Sequence, residues 1–429
     1  MGFEDKVPII MGRSEEDIEK YGEKGTGYLG KVVLSSGEHP VLGRDIRIDF
    51  SRPHLMLICG KRGGGKSYSM AVMLEEFSRL PYDIKDRTSV ITIDTVGIFW
   101  SLALPTREEK ELKDWDLKPE ASKVRIFVPA SKLAFYKEQG LPVHSAFTLK
   151  CSELSGMEWM ALFNLTFNDK EGILITRVVN EISEKIGSYY GISEIIKAVK
   201  ADEDSDDITK QALISRLEIA ESWKLIEKSG TKMTDLVAPG TINIIDVSVY
   251  RQAIGMESIK DIIVALIGKK LFEARMLYRK EEEMKLIKGE KRTSKMPLVW
   301  MFIDEAHMFM PNDRPSIALS VLLEWVRVGR QPGLSLVLAT QRPNRLHDDA
   351  ISQADIFISH RMTAQDDIAA VSKLRPSYLN SDFGKLYSDM PRGNGYAIVL
   401  DDKTEKLYLM KIRPRLSWDA SVTATSFTY

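Results

Sequence analysis

Short apolar runs alternate along this chain with segments whose apolar residues return every three or four positions. The run Leu55 to Cys59 enters a glycine-crowded turn, after which Met70, Met73, Leu74 and Phe77 fall at i, i+3, i+4 and i+7. This is the pattern of a buried strand followed by one apolar helical face, which Pro81 ends. "SVITIDTVGIFW" and "KVRIFVP" read as further buried strands, and so do "GTINIIDVS", "LVWMFIDE", "LSLVLAT", "DIFISHR" and "GYAIVLDD". Helical segments separate them. Strands buried on both faces and alternating with helices predict an α/β fold with a mainly parallel central sheet.

Two stretches break the alternation. The first 30 residues are polar and glycine-bearing, and "YLGKVVLSSGEHPVLGRDIRIDF" then alternates like short strands, so residues 1–50 form a short β-rich N-terminal segment, expected as an abbreviated barrel. Residues 151–235 turn helical and read as an inserted subdomain between two parts of the core, 51–150 and 236–429. The acidic "ADEDSDD" inside the insertion reads as a solvated loop.

Composition narrows the class. With 44% hydrophobic and 28% charged residues this is ordinary globular material, and a net charge of −1 confines any nucleic-acid surface to local patches. Cys59 and Cys151 are the two cysteines, without metal-type spacing, which points to a reducing compartment and no zinc site. The sequence carries no run of about 18 apolar residues. The expectation is a cytoplasmic protein without a membrane partner.

The glycine turn carries chemistry. From Gly60 it reads G-K-R-G-G-G-K-S, the pattern G-x-x-x-x-G-K-[ST] between strand and helix. Glycines let backbone N–H groups turn inward onto phosphate oxygens, and the helix adds its positive N-terminal end. ATP would therefore lie on Gly60, Lys61, Arg62, Gly63, Gly64, Gly65, Lys66, Ser67 and Tyr68. Lys66 would neutralise the β and γ phosphates, and Ser67 would offer an oxygen to Mg²⁺.

A phosphate cradle alone hydrolyses nothing. The strand in "LVWMFIDEAH" ends on Asp304 and Glu305, one carboxylate suited to Mg²⁺ and the next to polarising an attacking water. "LSLVLATQRP" ends on Thr340 and Gln341, where an amide can sense the γ phosphate or its water. Between these strands "WVRVGRQPGL" offers Arg327 and Arg330. An arginine there can stabilise transition-state charge, in its own subunit or in a neighbour's. For Arg327 the plainer reading is a solvated helix face.

The letters "DEAH" invite comparison with two-lobed helicases, but those need a second lobe after the acidic strand, and 89 residues follow position 340. One lobe cannot close around ATP by itself. The missing arginine must then come from another copy, and a ring is the simplest symmetric solution.

In this order, "ICGKRGGGKS", "TIDTVG", "TINIIDVS", "WMFIDEAHMFMP", "VGRQPGLSLVLATQRP", "DIFISHRM" and "KIRPRLS" resemble the HerA-like ATPases of the HerA/FtsK superfamily. The resemblance runs from about Tyr28 onward. It implies a RecA-like P-loop NTPase core working as a homo-hexameric, ATP-driven translocase or helicase on double-stranded DNA. By it, Lys66 and Ser67 bind phosphate and metal, Asp304 supports Mg²⁺, Glu305 activates water and Gln341 acts as sensor. Arg330 becomes the finger supplied to the adjacent subunit. Asp94 takes a position where the family keeps an acidic residue near the nucleotide; the other reading is a turn-capping aspartate. Arg62 departs from the small polar residue usual at its position. Repair-type members carry an N-terminal barrel that docks a nuclease partner, and here about fifty residues precede the cradle.

Sixfold repetition lets a few basic loop residues replace overall basicity in gripping duplex phosphates. The most basic run holds Lys285, Lys288, Lys291, Arg292 and Lys295, directly after "KEEE"; it reads equally as a solvated helix end or as DNA contact. Trp100, Trp159, Trp300 and Trp325 are expected in the core. His307 reads as a local structural contact or as a coupling element. Two further readings stand beside the DNA motor: the same machine moving protein or nucleoprotein cargo, and a nucleotide-dependent scaffold of a repair or defence complex.

Overall fold

A computed structural model describes residues 7–35, 40–250, 258–290, 296–372, 387–391 and 393–421. Fifteen strands are found among them: β1 (Ile9–Met11), β2 (Thr26–Val33), β3 (Leu42–Asp49), β4 (Leu55–Cys59), β5 (Thr88–Asp94), β6 (Val124–Pro129), β7 (Ser145–Phe147), β8 (Leu149–Lys150), β9 (Ile226–Glu227), β10 (Ile242–Asp246), β11 (Leu298–Ile303), β12 (Leu334–Thr340), β13 (Ile356–His360), β14 (Tyr396–Asp401) and β15 (Lys406–Ile412). Thirteen of them form one sheet in the order β1-β3-β2-β15-β14-β13-β4-β12-β11-β5-β10-β6-β7. From β13 to β7 every neighbouring pair is parallel. The fold is thus a RecA-like α/β core with a mainly parallel central sheet.

The central strands are buried along almost their whole length because both faces are covered. Successive side chains point to opposite sides, so each strand feeds two cores. In β11, Val299, Met301 and Ile303 join one cluster, with the helices Ser258–Ile287 and Ile317–Val328 and the insertion. Trp300 and Phe302 join the other, against Met70, Met73, Leu74 and Phe77 of the helix Lys66–Arg79. Trp159, Trp300 and Trp325 are buried, whereas Trp100 is half-buried and lines a cavity.

The insertion is a cluster of helices, Gly156–Leu162, Lys170–Ile186, Ile192–Ala201 and Asp207–Ser222. Its neck is closed by the parallel pair β8 and β9. Inside it, Asp202 and Asp204 pair with Arg177, and Asp206 caps the last helix through Thr209 N–H.

The N-terminal segment departs from expectation. Its strands do not close into an abbreviated barrel; β2 pairs with β15, and β3 with β2, so they extend the sheet beyond β14. The reason is an available edge: β15, in a stretch of mixed polarity, pairs antiparallel with β14 and offers unpaired backbone groups to β2. Among the described residues, no helix is long and apolar enough to cross a membrane.

Candidate nucleotide site

Parallel strands deliver their following residues to one edge of a sheet. In register, Cys59 faces Thr340, Ile303 faces both Leu338 and Ile93, and Asp246 faces Asp94. Gly60, Asp304, Gln341 and Asp94 therefore leave the sheet at the same edge.

The cradle is held from below by a residue that motif reading assigned no role. His360, at the end of β13, is fully buried. Its Nε2 lies 2.8 Å from Ser69 Oγ and its Nδ1 3.0 Å from the Tyr396 carbonyl. A carbonyl only accepts, so Nδ1 carries the proton and Ser69 donates to Nε2. Burial pushes the imidazole down to about 4, so it is neutral at physiological pH. A Cβ on Gly60 would meet His360 Cβ at 2.7 Å, and one on Gly65, where φ is +110°, would meet the ring at 3.1 Å. Glycine at these two positions is favoured by the His360 side chain behind the loop, its Cβ at Gly60 and its ring at Gly65, as much as by any phosphate in front of it. Lys61 N–H donates to Arg361 O (3.2 Å), fastening the loop to the end of β13, and Gly64 N–H donates to Lys61 O (2.9 Å).

Lys66 opens the helix, with its side chain buried and Nζ 3.3 Å from Lys61 O. Ser69 N–H is the first to find a helical acceptor, Gly65 O at 2.9 Å. The N–H groups of Lys66, Ser67 and Tyr68 are the unpaired donors of a helix start, which suit an anion. The Tyr68 side chain goes elsewhere: its hydroxyl accepts from Arg415 N–H (2.8 Å) in the C-terminal segment. What it can offer a nucleotide is its backbone.

Ser67 Oγ donates to Asp304 Oδ2 at 3.2 Å, which joins the cradle to the tip of β11. Asp304 is almost fully buried; desolvation raises its carboxyl above the usual range, against Glu305 N–H, Lys66 and Ser67, which favour the charge. Glu305 follows in the left-handed region at φ +53°, a strained turn for a side chain of this kind. Its carboxylate accepts from the backbone of Gln341 at the end of β12. Burial and the neighbouring Asp304 raise it too, and its Oε2 is buried with no hydrogen-bond partner. His307 Nδ1 lies 3.1 Å from Thr340 Oγ1 and 3.4 Å from Glu305 Oε2. Burial pushes this imidazole to about 4, and Arg342 and Arg345 act in the same direction.

These residues fit a magnesium–nucleotide pair. A hydroxyl and a carboxylate already touch, the buried Lys66 ammonium acts on both Asp304 and Glu305, and a Glu305 oxygen is buried without a hydrogen-bond partner. Among the described residues no group of three or more His, Cys, Asp or Glu gathers to hold a metal unaided. Mg²⁺ would need phosphate oxygens and water to complete its octahedron, as it does in nucleotide sites.

Gln341 and Arg342 share a cavity of about 220 Å³ with Lys61, Arg62 and Asp367. Arg342 is the cation that sequence reading missed; its only signal was position, one residue past the polar strand end. Asp94 is buried and satisfied as a turn cap: Val96 and Gly97 N–H donate to Oδ1 (3.2 and 2.6 Å), and Phe99 N–H to Oδ2 (2.9 Å). Burial, then the facing Asp246, push it up to about 7.

Arg330 is not brought to this site. It precedes β12, whereas Gln341 follows it, so the two lie at opposite edges of the sheet. Seven residues of strand separate them, about 20 Å. Arg330 is exposed and makes no ion pair among the described residues, while Arg327 is paired with Asp349 at 2.7 Å. Of the basic run, Lys285 lies in the last turn of the long helix and Lys288 in the turn just after it, and Lys291, Arg292 and Lys295 lie outside the described residues. A larger cavity, about 750 Å³, lies between the insertion and the two sheet-covering helices, away from the cradle.

A family model described as "Helicase HerA, central domain" matches residues 30–271. A probable helicase of Methanocaldococcus jannaschii is 24% identical over 393 residues, 87% of this chain and 66% of that protein. The DNA double-strand break repair helicase HerA of Sulfurisphaera tokodaii is 22% identical over 365 residues, 84% of this chain and 64% of that protein, and the one of Pyrococcus furiosus is 25% identical over 199 residues, 41% and 33%. The chain thus matches a third to two thirds of the length of these relatives. Among solved structures, VirB4 of Thermoanaerobacter pseudethanolicus shares the fold, with a TM-score of 0.54 at 13% identity over 91% of this chain and 98% of that one. The matched region contains the cradle and Asp94, and Asp304, Glu305, Gln341 and Arg330 lie beyond it. Since the model spans more than half of the residues, the chain belongs to the family of the HerA helicase central domain.

Proposed function

We propose that this chain is a subunit of a hexameric ring ATPase that uses ATP and Mg²⁺ to move along, or unwind, double-stranded DNA. The observation that carries the reading is the contact of Ser67 with Asp304 beside buried Lys66, next to the unsatisfied Oε2 of Glu305. Lys66 and the helix-start N–H groups would hold the β and γ phosphates. Ser67 and Asp304 would hold Mg²⁺, which when bound neutralises charge building up on the transferred phosphoryl group. Glu305, desolvated and raised, suits the acceptance of a proton from water, and Gln341 would orient that water. The names of the curated relatives support DNA as the track, and a nuclease or other effector is the further partner this reading allows.

The position of Arg330 supports completion of each site by a neighbour, since a side chain about 20 Å away cannot reach the γ phosphate of its own copy. A second reading has its own observation: Arg342 acts on Glu305 from the same edge and would serve as a cation in cis. Mixed assemblies separate the two. Arg330→Ala and Lys66→Ala should each be inactive alone and recover turnover when combined, because a shared site then has one intact half from each copy. Full turnover by Arg330→Ala, with loss in Arg342→Ala, would transfer the role to Arg342.

A further inference from the structure

Arg275 is a guanidinium placed where hydrolysis has no use for one. It lies on the helix Ser258–Ile287, is fully buried, and stands at the sheet edge opposite the cradle. Its Nε donates to Pro332 O at 2.7 Å, and its Nη1 donates to Met296 O at 2.8 Å and to Glu282 Oε1 at 3.2 Å. Pro332 is two positions past Arg330, in a turn closed by Leu334 N–H on Gly329 O at 2.9 Å. The same turn is pressed down on the guanidinium. Gly333 sits at φ +90°, where a Cβ would meet Leu298 Cδ2 at 2.3 Å and Arg275 Nη2 at 3.2 Å. On the other side of the turn, Trp325 Nε1–H donates to Gly268 O of the same long helix at 3.1 Å.

An apolar side chain would fill this volume without taking a charge out of water, so the buried pair with Glu282 is weak evidence of stabilisation. What the guanidinium does that an apolar group cannot is tie three separate segments together: the long helix, the approach to β11 and the backbone of the Arg330 turn. Arg330 itself is exposed and unheld among the described residues, so the direction in which it leaves the molecule is set by that backbone. We infer that Arg275 is a positioning residue for Arg330, fixing the turn from which that arginine reaches the phosphate site of an adjacent copy. This rests on the shared-site reading above.

The test uses full chains in mixed assemblies. A Lys66→Ala copy lacks the phosphate lysine but still donates Arg330, and an Arg330→Ala copy has the converse defect. With Arg330→Ala as the nucleotide-holding partner, a Lys66→Ala/Arg275→Met donor is expected to restore on the order of 100-fold less turnover than a Lys66→Ala donor, the scale of a misplaced catalytic group. Nucleotide affinity should be unchanged. An Arg275→Met copy used as the nucleotide-holding partner of a Lys66→Ala donor should work normally, because its cradle is at the other edge. Equal restoration by the two donors overturns the inference, and so does an equal loss on the nucleotide-holding side, which is what a general structural fault would produce. Should Arg275→Met not assemble, Arg275→Lys keeps a charge for Glu282 without the fork that spans both carbonyls, and the same two outcomes decide. If Lys66→Ala and Arg330→Ala fail to restore each other while Arg275 is intact, the shared-site reading falls and this inference with it.

Discussion

His360 shows what a single buried side chain contributes. It was legible as the end of an apolar strand, yet its part in the site comes from standing behind Gly60 and Gly65 and accepting from Ser69. Its titration gives a signed prediction. The unfolded chain takes up a proton on this imidazole below about 6.5, and the folded chain only near 4. Stability from this group is therefore fully present above 6.5 and is lost as pH falls from there toward 4, at about 1.4 kcal/mol per pH unit. In urea unfolding at pH 6.5 and 5, the wild type should lose about 2 kcal/mol more than His360→Gln. Equal losses would mean that the folded protein protonates His360 at no cost. Asp304 and Glu305 were readable in full as types and positions; the positive φ and unpaired oxygen of Glu305 were not, since both follow from how β11 turns into what packs around it.

At the scale of elements, the helix Lys66–Arg79 was visible from its apolar spacing, whereas the fate of its other face was not. Glu75 and Glu76 look like solvent-facing residues and are buried. Arg413, also fully buried, pairs with both at 2.8 Å, and Ser417 N–H and Leu416 N–H add to Glu75 at 2.9 and 3.1 Å. Glu76 in turn accepts from Tyr28 N–H at 2.8 Å, and Arg413 Nε donates to Tyr28 O at 3.0 Å. The segment "KIRPRLS" is therefore a strap that clamps the cradle helix and the N-terminal strands together. Removing Arg413 takes the shared cation from two interior carboxylates, leaving Arg415 at 3.8 Å from Glu75 and Arg79 at 3.1 Å from Glu76. Arg413→Met should cost about 3–5 kcal/mol of unfolding free energy, and most of that should return when Glu75→Gln and Glu76→Gln are added. A small loss in the single variant, measured by urea denaturation, would show that water reaches the pair.

At the scale of the molecule, a chain of net charge −1 has no general attraction for nucleic acid, so in the proposed DNA motor the grip comes from repetition of a local patch around the ring. Duplex DNA is expected to raise ATP turnover, and raising salt from about 50 to about 200 mM should cut that stimulation on the order of tenfold or more as counterion release is lost. Stimulation that ignores salt, or its absence, would favour protein cargo or a scaffold over a DNA track. The sequence alone determined the strands, the phosphate turn and the acidic tip, because each is written in neighbouring residues: apolar runs, glycines where φ must be positive, a polar residue at a strand end. Tertiary structure decided the rest. The addition of β2 and β3 beyond β15, the strap on Glu75 from 338 positions away, and the separation of Arg330 from the cradle depend on which distant segment fills which edge or pocket. Hydropathy records that a residue must be buried or paired; it does not record the partner, because backbone edges and buried charges accept any segment of matching shape and sign until the whole sheet is assembled.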